Sequence, residues 1–167
     1  MAEEHCTYYA SPIGLIEIRG SEQGIWTISF AEEADGHGQR QGTGRLPPCL
    51  QACARQLDEY FQGARQTFSL ALAPRGTAFQ RRVWDALAAI PFGESRSYRQ
   101  IAEAVGNPKA VRAVGGANHN NPISIVIPCH RVIGSDGSLT GYAGGLWRKE
   151  WLLNHEKRLD KEALLMP

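Results

Sequence analysis

The sequence predicts an α+β protein in two parts: a small antiparallel sheet with one helix, followed by a mostly helical domain with a helix-turn-helix. Short β-rich runs separated by turn residues occupy the first part, whereas apolar residues at helical spacing dominate the second. The tripeptide Pro74-Arg75-Gly76 lies between the two patterns. We therefore expect a structural N-terminal domain over residues 1–74 and a functional C-terminal domain over residues 77–160.

The elements of the N-terminal part follow from the spacing of its apolar residues. Between residues 7 and 30 these residues form short runs interrupted by turn residues, which predicts an antiparallel meander. Residues 31–48 are polar and rich in Gly and Pro, which predicts a flexible loop. Helical spacing over residues 48–61 predicts a helix, and the alternation in residues 67–72 predicts one more strand.

The C-terminal part predicts four helices. The first begins after Thr77, a residue type suited to capping, and ends before Pro91. The second begins at Ser97, and the third begins at Pro108, where a first-turn proline is favoured, and ends near residue 117. The last covers residues 146–156. The second and third helices fit a helix-turn-helix, although two short helices with a turn also occur simply as packed structure.

The composition of the predicted third helix is unusual. Tiny side chains surround the single large basic residue Arg112, and Gly115 and Gly116 each cost roughly 1 kcal/mol relative to Ala in a helix interior. One explanation is close packing against another helix. The other is close approach to a nucleic-acid backbone, in which case Arg112 is the residue long enough to enter the base stack.

The charge distribution and the apolar runs exclude several classes of protein. Residues 1–78 carry 6 basic and 9 acidic side chains, net −3, while residues 79–167 carry 12 and 8, net +4, so the C-terminal half is the candidate for a polyanionic partner. The chain has no run of 18 apolar residues and no signal-peptide pattern at its acidic N-terminus. We expect a cytoplasmic monomer without membrane contact.

Four cysteines are too few for a disulfide scaffold in a chain of this size, and a reducing compartment would keep them as thiols. Cys49 and Cys53 lie one helical turn apart, and Cys6, His5 and His37 are conceivable further metal ligands. Because they form no compact four-ligand pattern, we expect neither a metal site nor a cofactor.

A cysteine between a proline and a histidine is the candidate for chemistry. Residues 121–127 predict a buried strand that delivers Cys129, and Pro128 interrupts strand pairing where the thiol would face a pocket. An adjacent imidazole can lower the pKa of a thiol and create the nucleophilic thiolate, although Cys129 could also be a small core residue. Sequence neighbours on an extended segment point to opposite sides, so His130 would need a water or a local turn to reach the thiol. Glu156 could orient His130 and complete a Cys-His-Glu relay.

Three motifs carry a resemblance to a known family. They are Ile-Pro-Cys-His-Arg-Val at 127–132, Arg-Ala-Val-Gly-Gly-Ala at 112–117 and Gly-Tyr-Ala-Gly-Gly at 141–145. The last 90 or so residues closely resemble the O6-alkylguanine-DNA alkyltransferases, also called methylated-DNA–protein-cysteine methyltransferases, of the bacterial single-protein type. The resemblance implies that the alkyl group of O6-alkylguanine, and conceivably of O4-alkylthymine, in double-stranded DNA passes irreversibly to Cys129 after the nucleotide is extruded.

The resemblance also assigns roles to individual residues. Cys129 would be the acceptor, His130 a base acting through a water with Glu156 behind it, and Asn121 the brace of the active-site turn. Tyr98 would help to rotate the nucleotide and donate a proton to the departing guanine. The remaining residues that match family positions are the DNA contacts Arg112, Ala113, Gly115, Gly116 and Ala117 and the pocket residues Val132, Tyr142 and Ala143. Members of the family carry either serine or a smaller residue at the position of Ala143, and the alanine removes one possible side-chain hydrogen bond to guanine.

Two alternatives belong to other functional classes. A non-catalytic protein that binds alkylated DNA would keep the helix-turn-helix and Arg112 but would not need Cys129. A cysteine hydrolase or acyltransferase would use Cys129 and His130 but leaves Arg112 and the glycine-rich helix unexplained. Retention of an alkyl group on the protein, read by mass spectrometry, distinguishes suicide transfer from turnover.

Overall fold

The computed structural model describes residues 3–31 and 45–165, and its mixed helices and strands confirm the predicted α+β class. The strands are β1 (His5–Ser11), β2 (Gly14–Ser21), β3 (Gly24–Phe30), β4 (Arg96–Ser97) and β5 (Val132–Ile133), and the helices are α1 (Pro48–Phe61), α2 (Ala78–Ala88), α3 (Tyr98–Ala104), α4 (Val111–His119) and α5 (Leu146–Leu165). Contacts divide the chain into two units, Met1–Arg75 with Pro122–Ser124, and Gly76–Asn121 with Ile125–Pro167. Most of the predicted loop, residues 32–44, lies outside the described residues.

Unit 1 is the predicted antiparallel meander with one helix. The sheet has the order β1-β2-β3, and its register aligns Thr7, Ile18 and Ile28 on one buried face. Helix α1 lies against β1 and β2 and buries its own apolar stripe, which includes Leu50 and Leu57. Alternation along the strands and helical spacing along α1 therefore supply the two surfaces of one core.

The strand predicted over residues 67–72 is wrong. Leu72 forms one isolated bridge to Ile25 of β3, where the Ala71 carbonyl accepts from the Ile25 N–H at 2.9 Å, and residues 67–71 form no strand. The side chain of Gln56 hydrogen bonds the backbone of Ser69 in both directions, with N···O distances of 2.9 and 3.1 Å. The buried Gln56 therefore satisfies the backbone N–H and carbonyl of Ser69 in the way that a neighbouring strand would.

Unit 2 is helical, and its helix starts are well defined by sequence. Capping boxes begin α2, through Thr77 and Gln80, and α3, through Ser97 and Gln100. Helix α4 begins at Val111 rather than at Pro108, because residues 108 and 109 form a separate turn closed by the bond from the Ala110 N–H to the Asn107 carbonyl. Helices α3 and α4 pack against each other and are joined by residues 105–110, and their identity as a helix-turn-helix stays a prediction.

The last helix is longer than predicted. Helix α5 continues from residue 156 to Leu165, because residues 157–165 contain neither Gly nor Pro to end it. The β4–β5 pairing is parallel and aligns Arg96 with Val132 and Ser97 with Ile133. This short pairing places the start of α3 beside the segment that follows Cys129. Among the described residues no helix is both long and apolar enough to cross a membrane.

Candidate active site

The segment that carries Cys129 is a turn and not the predicted strand. Residues 124–126 form a turn, Ile125 has a left-handed φ of 73°, and Cys129–Arg131 is one 3-10 turn. A β-branched residue in this region is strained, so the surrounding contacts must hold it there. The Asn121 side chain supplies one of them, because its Nδ2 donates to the Ile127 carbonyl at 2.8 Å. An apolar run alone does not distinguish a buried strand from a buried turn.

Burial dominates the chemistry of the Cys129 thiol. The residue is 5% exposed, and this burial raises the pKa of the thiol above its ordinary value. A hydrogen bond from Asn121, the positive charge of Lys149 and nearby backbone N–H groups oppose the increase without reversing it. The expected lowering of the Cys129 pKa by the neighbouring imidazole is therefore wrong, because burial raises it. The thiol is held protonated, so its activation requires a base.

His130 and Glu156 form a buried pair. The distance from His130 Nε2 to Glu156 Oε2 is 2.8 Å, and the two side chains are 0% and 1% exposed. Burial raises the pKa of Glu156, but the charges and hydrogen bonds of His130 and Arg131 outweigh it and lower the pKa overall. Since an ionised carboxylate only accepts hydrogen bonds, His130 Nε2 must carry a proton.

The other ring nitrogen of His130 is not bonded to Glu156. Nδ1 is buried and has no hydrogen-bond partner within residues 3–31 and 45–165. The thiol of Cys129 is therefore not bonded directly to the imidazole, even though both residues lie on one 3-10 turn.

Lys149 is a functional candidate that the sequence interpretation missed. Its side chain is fully buried, and Nζ donates to the Thr140 carbonyl at 2.8 Å. Burial lowers the pKa of Lys149 to about 8, although the interaction with Cys129 raises it in part. Lys149 precedes Glu156 by seven residues on the same helix, so both lie on one face. The seven-residue spacing between Lys149 and Glu156 is the sequence signal that could have identified Lys149.

Lys149 and Tyr98 both hydrogen bond to Thr140, which directly precedes a loop flanked by glycines. The Tyr98 hydroxyl donates to the Thr140 carbonyl at 3.1 Å and accepts from Thr140 Oγ1 at 3.2 Å. Gly141 and Gly145 both have positive φ, 46° and 95°, and bound the loop. Of the predicted pocket residues, Val132 and Tyr142 are buried, while Ala143 is exposed on the loop.

Helix α4 has an exposed face on which small residues surround Arg112. Arg112, Ala113 and Gly116 are exposed, and a Cβ at Gly115 or Gly116 would meet no atom of the described chain within 4 Å. Close packing against a described helix therefore does not explain these glycines. The predicted contact at Ala117 needs correction: it is 4% exposed, and its carbonyl accepts from Trp84 Nε1 at 2.9 Å. Ala117 is on the face that packs into unit 2, not on the open face.

Cys49 and Cys53 of unit 1 have surroundings that belong to the fold of the chain. Cys49 donates to the Ser21 carbonyl, with Sγ at 3.0 Å, and Cys53 is buried in the core. No group of three or more potential ligands lies together in the part of the chain that the structure describes. His37, a conceivable ligand, lies outside those residues.

Both parts of the chain match descriptions of one protein family. Residues 78–158 match the DNA binding domain of 6-O-methylguanine DNA methyltransferase, and residues 5–74 match its ribonuclease-like domain. Among proteins of similar sequence, the methylated-DNA–protein-cysteine methyltransferase of Methanosarcina barkeri is 50% identical over 147 residues, which are 88% of this chain and 93% of that protein. The constitutive enzyme of that name from Bacillus subtilis is 48% identical over 93% of this chain and 98% of its own.

Solved structures give the same result. The O6-methylguanine methyltransferase of Mycobacterium tuberculosis superposes with a TM-score of 0.80 at 42% identity, covering 93% of this chain and 94% of the other. The OGT of the same organism in complex with DNA superposes with a TM-score of 0.82 at 44% identity, with the same coverage.

Proposed function

Since the chain belongs to the 6-O-methylguanine DNA methyltransferase family, we propose that it repairs DNA by transferring the alkyl group of O6-alkylguanine to its own Cys129. The reaction is a single irreversible turnover, because the acceptor is a residue of the protein. The relatives named for this activity match along 88–93% of this chain. The observation that carries the assignment to Cys129 is its place beside the buried His130–Glu156 pair, whose Nδ1 is free among the described residues.

The proposed transfer moves one proton and one alkyl group. His130 Nδ1 takes the thiol proton through a water, and Cys129 Sγ attacks the alkyl carbon. The carbon–O6 bond breaks, a thioether forms, and the departing guanine takes up a proton from Tyr98. The imidazolium then returns the thiol proton through solvent to the tyrosinate, so the net change is one proton and one alkyl group. Glu156 stabilises the imidazolium that results, and Lys149 adds a positive charge that favours the thiolate. No cofactor is required for this balance.

We propose that the hydroxyl of Tyr98 changes its hydrogen-bond partner when the nucleotide enters the pocket. In the DNA-free protein its hydroxyl donates to the Thr140 carbonyl, so donation to guanine requires this bond to be exchanged. The loop that holds Thr140 continues into Tyr142 and Ala143, which we propose as pocket residues together with Val132. The glycines at both ends of the loop permit the backbone to adjust.

The partner is double-stranded DNA that contains the lesion. O6 lies inside the stack, so the nucleotide must be extruded, at a cost of a few kcal/mol. We propose that Arg112 fills the vacated space, while Ala113, Gly115 and Gly116 let the DNA backbone approach α4. Because lesions occur in any sequence, contacts to phosphate and groove shape suit the task better than base reading.

Three further expectations remain proposals. We infer a structural domain over residues 1–74 and an alkyltransferase domain over residues 77–160, supported by the division of contacts after Arg75. A cytoplasmic location is supported by the need for a reduced Cys129, which is free in the structure. We also propose that the protein acts as a monomer.

Peptide mapping after reaction tests the function. The protein is incubated with duplex DNA that carries O6-[methyl-labelled]guanine, and the label is counted per protein and located. We expect at most one equivalent, on the peptide that contains Cys129, none in Cys129→Ser, and a full equivalent in the control Cys49→Ser. Label on another cysteine or many turnovers per protein would contradict suicide transfer. Lesion binding without any transfer would favour the non-catalytic alternative.

A further inference from the structure

Arg131 is a buried cation next to the His130–Glu156 pair, and the mechanism above gives it no role. It is 6% exposed and has three hydrogen bonds of 3.0 Å or less. Nε donates to Glu156 Oε1 at 2.8 Å, Nη2 donates to Glu156 Oε2 at 3.0 Å, and Nη1 donates to the Ile90 carbonyl at 2.7 Å. The guanidinium also lies 5.7 Å from the ring of Phe92.

These contacts determine where the Glu156 carboxylate can point. Two parallel bonds from a planar guanidinium fix both the position and the plane of a carboxylate. The bond to the Ile90 carbonyl in turn attaches the guanidinium to the backbone that follows α2. Glu156 Oε2 thereby faces His130 Nε2 and cannot rotate away without breaking both bonds to Arg131.

The charges around the pair are few. On α5 they are Glu156 and Lys149, with the titratable His155 adjacent, and on the 3-10 turn they are Arg131 and His130 itself. Arg81, Arg82 and Asp85 of α2 are exposed. Arg131 and Glu156 are paired through two hydrogen bonds, so together they carry no net charge.

We propose that Arg131 is a positioning residue for alkyl transfer. By fixing the carboxylate of Glu156, it holds His130 in the tautomer with Nε2 protonated and Nδ1 free to receive the thiol proton. The role of the tautomer rests on the proposed function, whereas the tautomer itself is a property of the protein that needs no substrate.

A direct measurement on the protein uses ¹⁵N-labelled histidine. In the DNA-free wild type at neutral pH, the ring ¹⁵N shifts of His130 should show Nε2 protonated and Nδ1 unprotonated. Arg131→Gln should shift part of the population to the other tautomer, and Arg131→Lys, which keeps the charge, should shift less. The opposite tautomer in the wild type overturns the proposal, even if Arg131→Gln does not fold. An unchanged population in a folded Arg131→Gln does so too.

A double-mutant comparison distinguishes positioning from simple stabilisation. General-base catalysis contributes about 10²–10⁴-fold, so Arg131→Gln should slow single-turnover transfer to Cys129 by roughly 10–100-fold, with Arg131→Lys between it and wild type. If Arg131 acts through Glu156, the double variant with Glu156→Gln should be no more than about twofold slower than Glu156→Gln alone. Multiplying losses would overturn the proposal. Arg19→Gln, which removes a carboxylate-paired arginine of unit 1, is the control and should transfer at the wild-type rate.

These outcomes separate the two proposals. A wild-type protein that transfers no label to Cys129 contradicts the proposed function, while its histidine tautomer still tests the role of Arg131. In the other case the wild type transfers the label normally, but the double variant loses rate by the product of the two single losses of Arg131→Gln and Glu156→Gln. That result contradicts the role of Arg131 and leaves the proposed function intact.

Discussion

Replacement of Lys149 by methionine should stabilise the folded protein relative to the wild type, and this gain should be larger at neutral pH than at higher pH. The same replacement should slow alkyl transfer. Lys149 is fully buried, yet its pKa of about 8 leaves it mostly charged at pH 7. The wild type therefore bears the cost of a buried charge in exchange for a positive group near the Cys129 thiol. Methionine fills a similar volume without a charge.

The magnitude follows from the difference between the folded and unfolded protein. With a pKa of 10.5 when exposed and about 8 when folded, the charge costs roughly 3 kcal/mol at pH 7, at 1.36 kcal/mol for each pH unit. Between pH 8 and 10.5 the unfolded chain still binds the proton that the folded chain has released, so the wild type gains stability as pH rises. Methionine has no such dependence. The stability difference, variant minus wild type, should therefore shrink by roughly 2 kcal/mol from pH 7 to pH 9.5.

The measurement is urea unfolding, followed by tryptophan fluorescence, at pH 7 and pH 9.5. Both proteins carry Cys129→Ser, so that thiol ionisation does not contribute. The control is Lys157→Met on the exposed side of the same helix, which should show no pH-dependent difference. A stability difference for Lys149→Met that is constant or grows with pH would refute the reasoning. With Cys129 intact, the transfer rate should fall about tenfold for each unit by which the thiol pKa rises.

Three further perturbations have defined outcomes. Arg112→Ala should slow repair of duplex DNA roughly 10–100-fold while leaving reaction with free O6-methylguanine nearly unchanged, because only the duplex needs its stack filled; equal losses in the two rate assays would place Arg112 at the pocket. Asn121→Ala should lower the free energy of unfolding by about 1–3 kcal/mol, since it removes the bond to the Ile127 carbonyl, while the exposed Asn154→Ala changes it by less than about 0.5 kcal/mol in the same urea titration. Alkylation of Cys129, which is 5% exposed, should overpack the site by about 1–3 kcal/mol and lower Tm by several degrees, more for benzyl than for methyl. Equal melting curves before and after reaction would show that the pocket accepts the product without strain.

Local patterns in the sequence were sufficient for most of the fold. The strands of unit 1 and the starts of α2 and α3 lie where alternation and the capping residues Thr77 and Ser97 indicate, because these signals act over one turn or one strand. They failed at residues 67–72 and 121–127. There, each segment makes a single bridge to β3, Leu72 to Ile25 and Ile123 to Ile28, and does not extend it into a strand. The side chains of Gln56 and Asn121 bond nearby backbone groups, and periodicity does not report such bonds.

The sequence by itself was sufficient to predict which residues we propose for the reaction chemistry. Cys129, His130 and Arg112 were identifiable from their neighbours and from the resemblance, before any distance was known. Only the tertiary structure decided the burial, the pKa direction and the hydrogen-bond partners of these residues. Burial raises the pKa of Cys129, and the spacing of residues does not report burial. The contacts that we propose to position His130, from Arg131 to the Ile90 carbonyl and to Glu156, are distant in sequence. They exist only because the folded chain brings α2 and α5 to the same 3-10 turn.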